Sequence, residues 1–286
     1  MSAQHTYFTI QRKMVAAMTD ESWAGTPHAS ITYEASVKNL LGVLKEHNAA
    51  HADQHVTINS AMLKLIAEAL GAAPKMNGHI RYHRRLISGR ITLYDNVDVS
   101  VPVRFPSGLM IPVTLYGAEK MSMREIGAAM DDIMRRAANT NMEEAMFDVS
   151  IHDTFDELKH LHLVKAIGRL IGALIDHKRL RTLNRKERRQ YRQIPENERL
   201  TRRDLKQGTI TVSNVGAIYR EWKGICTLLE IVPPQMACIA IGALRDNVIT
   251  LTIAFDHRAM DVDDVFPLLR QMDELLASPD ALRQMV

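Results

Sequence analysis

Residues Leu251–Asp264 read LTIAFDHRAMDVDD. Leu251, Ile253 and Phe255 alternate with Thr252 and Ala254, the period of a half-buried strand. The strand delivers Asp256, His257 and Arg258 at its end. Asp261, Asp263 and Asp264 then open a helix with apolar positions Val265, Leu268, Leu269, Met272, Leu275 and Leu276. An imidazole titrates near ~6.5 when unperturbed, so a histidine at a strand end between charges can move protons near neutral pH. The same residue also reads as a satisfied strand-end histidine, and the rest of the chain decides between the two.

Working outward, the segments on either side are β-rich. VITLTIAF pairs back on MACIAIGAL through a turn at Asp246-Asn247, and MACIAIGAL, nearly all apolar, reads as a fully buried strand. GTITVSNVG alternates and turns at Asn214-Val215-Gly216. Further back, Val97, Val99, Val101 and Val103 alternate with polar partners. LMIPVTLYG is a strand whose Pro112 predicts an edge or a bulge. LISGRITLY predicts a hairpin with Ser88-Gly89 at its turn. Helices are predicted at 36–46, from Ile58 to Leu70, and from Ser122 to about Ala138, the last opened by the capping box Ser122-Met-Arg-Glu125. Residues 7–18 read as a short strand or arm entering a helix, with Asp20–Pro27 and the polar stretch HNAAHADQH as loops.

Segment 151–206 differs in character. Thr154-Phe-Asp-Glu157 is a second capping box, and Leu163, Ile167, Leu170, Ile171 and Leu174 follow at helical spacing. HKRLRTLNRKERRQYRQ (177–193) is dominated by Lys and Arg. It reads as a solvated helical face, or as a surface for phosphates, a membrane or an acidic partner. Tyr191 is its one aromatic residue, unlike the interleaved aromatics of a single-strand nucleic-acid binder.

Composition narrows the class. A chain of 286 residues with net charge +3 can bury a sizeable core and carries too little charge to argue for nucleic acid. No apolar run is long enough to span a bilayer, and MSAQHTYFTIQRKM is too polar for a signal peptide, so the expectation is a cytoplasmic protein. Cys226 and Cys238 form neither a disulfide framework nor a CxxC metal pair. No internal repeat is visible. The sequence has no P-loop, no GxGxxG after a strand and no GxSxG elbow. His160 and His162 fall at i and i+2 on a predicted helix and point apart, so no metal site is expected.

The remaining motifs fall in one order, and the chain resembles the catalytic domain of the dihydrolipoamide acyltransferases, the E2 components of 2-oxo acid dehydrogenase complexes. Arg12-Lys13 with Met14, Val15 and Met18 resembles the family's first helix, and Thr26-Pro27-His28 its Pro-His before the first strand. Pro74-Lys-Met-Asn77 resembles its Pro-x-x-Asn. Phe105-Pro106-Ser107-Gly108-Leu109 with Ile111-Pro112-Val113 resembles its Pro-x-Gly-Leu stretch, and Gly208–Gly216 its Thr-x-Ser-Asn-x-Gly stretch. Pro233-Pro234-Gln235 and Ile241-Gly242 also fit. Asp256-His-Arg-Ala-Met-Asp261 resembles the family signature, and Leu276-Ala-Ser-Pro279 its final helix end. The resemblance covers residues 8–140 and 202–286.

The resemblance implies a chloramphenicol-acetyltransferase-like α/β (α+β) fold: a mixed sheet flanked by helices. It implies one catalytic domain over residues 1–286, with 141–206 a helical, basic insertion. It implies coenzyme A-dependent acyl transfer to a thiol or hydroxyl acceptor. His257 would act as base and Ser213 as oxyanion donor, with Asp261 fixing the site's turn by pairing with Arg12, and Asn214 supporting it. By themselves Ser213 reads equally as a turn cap and Asp261 as a helix N-cap. A homotrimer is implied, with His257 of one subunit facing Ser213 of its neighbour. No lipoyl attachment site is read in the chain, so the acceptor would be a separate lipoyl-carrying protein or a small molecule. No nucleic-acid partner is expected, while 177–193 could touch a partner or membrane surface. Val262 stands where the signature has glycine, and a valine would fit poorly at positive φ. The competing reading is therefore a catalytically reduced scaffold that assembles or recruits partners.

Overall fold

The structure, a computed structural model, describes residues 8, 10–105, 108, 110–149, 183–218 and 224–286. The capping box at Thr154, the helical spacing from Leu163, His160 and His162 lie outside these residues, as do 177–182 of the basic run.

The centre of the fold is the hairpin read from the sequence. Strands β7 (Ala237–Arg245) and β8 (Val248–Asp256) pair antiparallel across Asp246-Asn247. Both turn residues take positive φ, 47° and 64°, as the tight turn of a twisted hairpin requires. On the far side of β8 lies β1 (His28–Ser36), antiparallel from His28↔Asp256 to Ser36↔Val248. On the far side of β7 lies β6 (Ile210–Asn214), which is parallel to it. Next come β4 (Val99–Arg104), parallel to β6, and β5 (Met110–Leu115), antiparallel to β4. The order is thus β1-β8-β7-β6-β4-β5, a mixed sheet. Pro112 lies on an edge strand, as predicted, and faces Pro102 on β4. Two prolines can face each other only where the ladder needs no N–H.

One sheet face carries Ile239, Ile241, Leu251, Ile253, Phe255, Val99 and Val113. It packs on helices α2 (Lys38–Ala50), α3 (Ile58–Ala69), α4 (Met123–Ala138) and the closing helix Phe266–Ala277. Helix α3 is buried almost all round, and even Lys64 is inside, donating to Glu68 at 2.7 Å and to the Glu119 carbonyl at 2.6 Å. The capping boxes at Thr57 and Ser122 start α3 and α4. The opposite face is small and hydroxyl-rich. Leu228, Leu229 and Ile231, in the irregular segment 224–232, cover it over Cys238 and Ala254. Among the described residues no helix is long and apolar enough to cross a membrane.

Three predicted boundaries move. The loop expected at Asp20–Pro27 belongs mostly to helix α1 (Ile10–Gly25): the Thr19 hydroxyl just before it bonds back to the Val15 carbonyl at 2.8 Å, and the buried Ser22 hydroxyl donates to the Ile231 carbonyl at 2.6 Å. Helix α2 runs on through His47–Ala50, and the Asn48 side chain, bonded to both sides of Val56, holds the return. Ser88-Gly89 is not the hairpin turn. Strands β2 (Gly78–His83) and β3 (Ser88–Leu93) pair from Gly78↔Leu93 to His83↔Ser88, so residues 84–87 turn and Gly89 lies within β3. Glycine is needed there because a Cβ would sit 2.8 Å from the Arg81 carbonyl.

Gly208, just before β6, is the tightest backbone approach relevant to the site. Its N–H donates to Ser100 Oγ at 2.7 Å, and a Cβ would run into the Asp98 carbonyl. Gly208→Ala is expected to destabilise the protein by about 1–3 kcal/mol, read as a lower urea midpoint with an unchanged slope.

Candidate active site

His257 follows the last residue of β8. Its backbone N–H donates to the Pro27 carbonyl at 3.0 Å, so the strand's pairing with the β1 side continues to it. Its ring lies edge-on to Phe255, centroids 5.9 Å apart. Nδ1 sits 3.1 Å from the Met260 carbonyl and 3.3 Å from Asp261 Oδ1. A carbonyl only accepts, so the hydrogen belongs on Nδ1. Nε2 then carries the lone pair, on a side chain 52% exposed. The ring is held in one tautomer and offers its basic nitrogen outward, which is what a general base needs.

The neighbouring charges hold this geometry. Asp256 is fully buried, and Arg258 closes on it: Nε lies 2.9 and 3.1 Å from its two oxygens, and the Arg258 backbone N–H donates to Oδ1 at 3.0 Å. The same guanidinium reaches the Gly25 carbonyl at the end of α1, and its carbon lies 5.2 Å from the centre of the Tyr82 ring. One arginine therefore ties the strand end to α1 and to the β2–β3 hairpin. The partner and its reach are not visible in the sequence, which shows only that charges flank the histidine.

Asp261 Oδ1 lies 3.3 Å from His257 Nδ1, and its N–H donates to Asp264 Oδ2 at 3.1 Å. The turn leans on Lys75, which donates to Asp264 Oδ1 at 2.7 Å. That hydrogen bond holds the Asp264 carboxyl below the usual carboxylate range and pushes Lys75 up. Val262 begins a short 3₁₀ turn over Val262–Asp264. Positive φ among the described non-glycine residues occurs at Ile87, Asp246 and Asn247, so Val262 carries no left-handed strain. The backbone argument for a damaged site thereby disappears.

Ser213 is on β6, 8% exposed, and its hydroxyl makes no hydrogen bond among the described residues, so it is not the turn cap. That role belongs to Asn214, which accepts from the Ala217 N–H at 2.8 Å and donates to Asn59 on α3 at 2.7 Å. The Ser213 hydroxyl therefore keeps a hydrogen that an incoming acceptor could take.

The register separates the two groups. Ser213 shares a rung with Ala240, and Ala240 with Thr252, five residues before His257. At about 3.3 Å per residue and about 4.8 Å per strand, Ser213 and His257 of one chain lie on the order of 20 Å apart. His257 and Asp261 are brought together, as are Ser213 and Asn214, but the two halves are not joined within one chain.

Among the described residues no group of three His, Cys, Asp or Glu side chains could hold a metal ion. Part of the basic run is committed internally: Arg188 pairs with the buried Glu144 at 2.5 Å. Arg199, beyond the run, lies over the Tyr191 ring.

Over residues 3–150 and 174–283 the chain matches the family described as 2-oxoacid dehydrogenases acyltransferase (catalytic domain). The chain belongs to this family. A mitochondrial dihydrolipoyllysine-residue acetyltransferase component of the pyruvate dehydrogenase complex from Dictyostelium discoideum is 28% identical over 266 residues, covering 87% of this chain and 31% of that protein. The corresponding component of the Bacillus subtilis acetoin cleaving system is 22% identical over 296 residues, covering 98% of this chain and 57% of that protein. The chain thus spans only part of the length of these curated relatives. The structure of the Azotobacter vinelandii dihydrolipoamide acetyltransferase superposes with a TM-score of 0.63 at 14% identity, covering 98% of this chain and 94% of that one, which establishes a common fold. The family match is interrupted between residues 150 and 174, within the segment read from sequence as an insertion.

Replacing Asp256 by alanine leaves the Arg258 guanidinium without its buried counter-charge. Asp256→Ala is expected to cost about 3–5 kcal/mol, read by chemical denaturation.

Proposed function

We propose that the chain is a coenzyme A-dependent acyltransferase that passes an acyl group between acyl-CoA and a dihydrolipoyl-type thiol. The observation that carries this reading is the held tautomer of His257, with Nδ1–H on Met260 and Nε2 free. A thiol with a pKa near ~8.5 is mostly protonated at neutral pH and needs a base. Nε2 takes the acceptor's S–H proton, and the thiolate attacks the thioester carbonyl. The resulting oxyanion accepts a hydrogen bond from the Ser213 hydroxyl, whose hydrogen is otherwise uncommitted. Collapse breaks the bond to the coenzyme A sulfur, and the His257 imidazolium returns the proton to that sulfur. Asp261, beside Nδ1, stabilises the imidazolium between the two steps.

Crystallographic and enzymatic work on the A. vinelandii enzyme concerns a serine, a histidine and an asparagine in its catalytic mechanism, the asparagine four residues past the histidine. Asp261 stands four residues past His257 here. The separation of about 20 Å within one chain favours a site assembled from two subunits, as in the trimer that the family resemblance implies. Acyl-CoA is the acyl donor, and a dihydrolipoyl-type dithiol is the acceptor.

The test is thiol release from acetyl-, succinyl- and branched-chain acyl-CoA with free dihydrolipoamide. His257→Ala is expected to lower kcat by about 10²–10⁴, and Ser213→Ala by about 10²–10³. A folded protein that neither turns over any donor nor binds coenzyme A would overturn the reading. Co-expressing His257→Ala and Ser213→Ala chains is expected to restore turnover. Random one-to-one mixing around a closed ring leaves about a quarter of the sites with both groups intact. Full inactivity of the mixed, assembled protein would return both groups to one chain and contradict the register.

A further inference from the structure

The outer end of the β2–β3 hairpin is built against the rules for making a turn. Residues 84–87, Arg-Arg-Leu-Ile, link His83 to Ser88, with the Leu86 N–H donating to the His83 carbonyl at 3.1 Å. Tight hairpin turns favour glycine, asparagine and aspartate, which accept positive φ or bond to their own backbone. Here the residue at positive φ, 47°, is Ile87, whose branched side chain is poorly suited to it. Leu86 is 75% and Ile87 83% exposed, so neither recovers that cost by packing. The turn holds two apolar side chains in water at the expense of local stability.

The charges around this tip are equally one-sided. Residues 78–93 carry Arg81, Arg84, Arg85 and Arg90 and no acidic residue. Every residue from 81 to 90 is exposed. Arg81 and Arg90 share a rung, where like charges repel. Among the described residues no ion pair neutralises any of these four arginines. Arg258 touches the ribbon with the flat side of its guanidinium, over the Tyr82 ring, and its own charge is met by Asp256. That contact holds the hairpin two residues before its turn.

We infer that the tip of the β2–β3 hairpin docks on an anionic lipid surface. Leu86 and Ile87 enter the boundary between headgroups and acyl chains, and Arg81, Arg84, Arg85 and Arg90 meet the headgroup phosphates. Such an interface takes both kinds of group at once: the apolar side chains leave water, and the long arginine stems carry their charge to the headgroup level. Lipid fits better than an acidic protein, because the apolar pair stands at the turn of a two-stranded ribbon exposed along its whole outer length. A soft boundary receives such a tip without a matching pocket. Since Tyr82 rests on Arg258, the residue after His257, docking also brings the candidate site to the membrane face. One tip gives weak, reversible, salt-sensitive binding.

The experiment is cosedimentation of the whole chain, at low salt, with vesicles of phosphatidylcholine alone and of its equimolar mixture with phosphatidylglycerol. It compares wild type, Arg84→Gln with Arg85→Gln, Leu86→Ser with Ile87→Ser, and Ile87→Gly. Glycine accepts the positive φ, so Ile87→Gly removes the apolar side chain without disturbing the turn. Wild type is expected to bind the mixed vesicles and not phosphatidylcholine alone. The arginine variant is expected to bind about 25-fold more weakly, about fivefold per arginine. The double serine variant is expected to lose binding. Ile87→Gly is expected to bind more weakly while its urea midpoint stays the same or rises. A wild type that leaves the mixed vesicles in the supernatant, or equal binding by all four proteins, would overturn the inference. So would loss of binding with the arginines while the serine and glycine variants bind like wild type, which would assign the tip to a soluble polyanion such as an acidic protein. Vesicle binding is read without turnover, so its outcome stands apart from the acyl-transfer reading.

Discussion

A carboxylate buried in full, Asp256, is the constraint around which this fold is arranged. A charge removed from water needs a counter-charge and filled lone pairs, or the fold that buries it does not persist. Arg258 provides both, together with its own backbone N–H. Because a guanidinium is planar and presents several donors, the same side chain has hydrogens left for the Gly25 carbonyl and a face left for Tyr82. The residue between the two charges has little freedom. His257 is placed by the electrostatics of its neighbours, and its ring is then turned by Met260 and Asp261. The precision of the histidine is a by-product of satisfying a buried acid.

The sheet imposes a second constraint, one of distance. Strands β6 and β8 are separated by β7, and Ser213 and His257 lie on different rungs. No side-chain rotation closes a gap of about 20 Å. The interior also gives no route, since Ala237–Ile241 of β7 is packed tight between them. A rigid sheet can present two chemical groups with great steadiness and still be unable to use them alone. In the proposed two-subunit site, association would complete the arrangement while leaving each half preorganised on a strand.

Much of this was legible in the residues themselves. Strict alternation in Leu251–Phe255 and Val97–Val103, the unbroken apolar run of β7, the Asp246-Asn247 turn and the Ser122–Glu125 box all have local causes, and they appear where the local rules put them. What could not be read depends on partners distant in the chain. Ser22 falls in the stretch Asp20–Pro27 that reads as a loop, yet it sits within α1. Thr19 bonds back along the helix, and the buried Ser22 hydroxyl donates to the Ile231 carbonyl at 2.6 Å. Gly89 marks a close backbone approach, not a turn, and the two uses of glycine look alike in a sequence. At the site, the residue types were apparent, but the partner of Asp261 was not. A carboxylate can reach Nδ1 of a histidine four residues earlier only if the turn between them closes, and that closure comes from Asp264 and Lys75.

The edge strand β5 has a bearing on how copies of this protein can meet. With Pro112 opposite Pro102, the rung they share uses no hydrogen bonds between the two strands. The N–H that Pro112 lacks is therefore one that would have pointed away from the sheet. A foreign strand arriving at this rim finds a gap in the row of donors it would need, and the ladder cannot propagate from one molecule to the next. Growth by sheet extension, which has no natural end, is discouraged at that edge. Closed assembly through side-chain surfaces, which stops when the ring is complete, is left as the cheaper path.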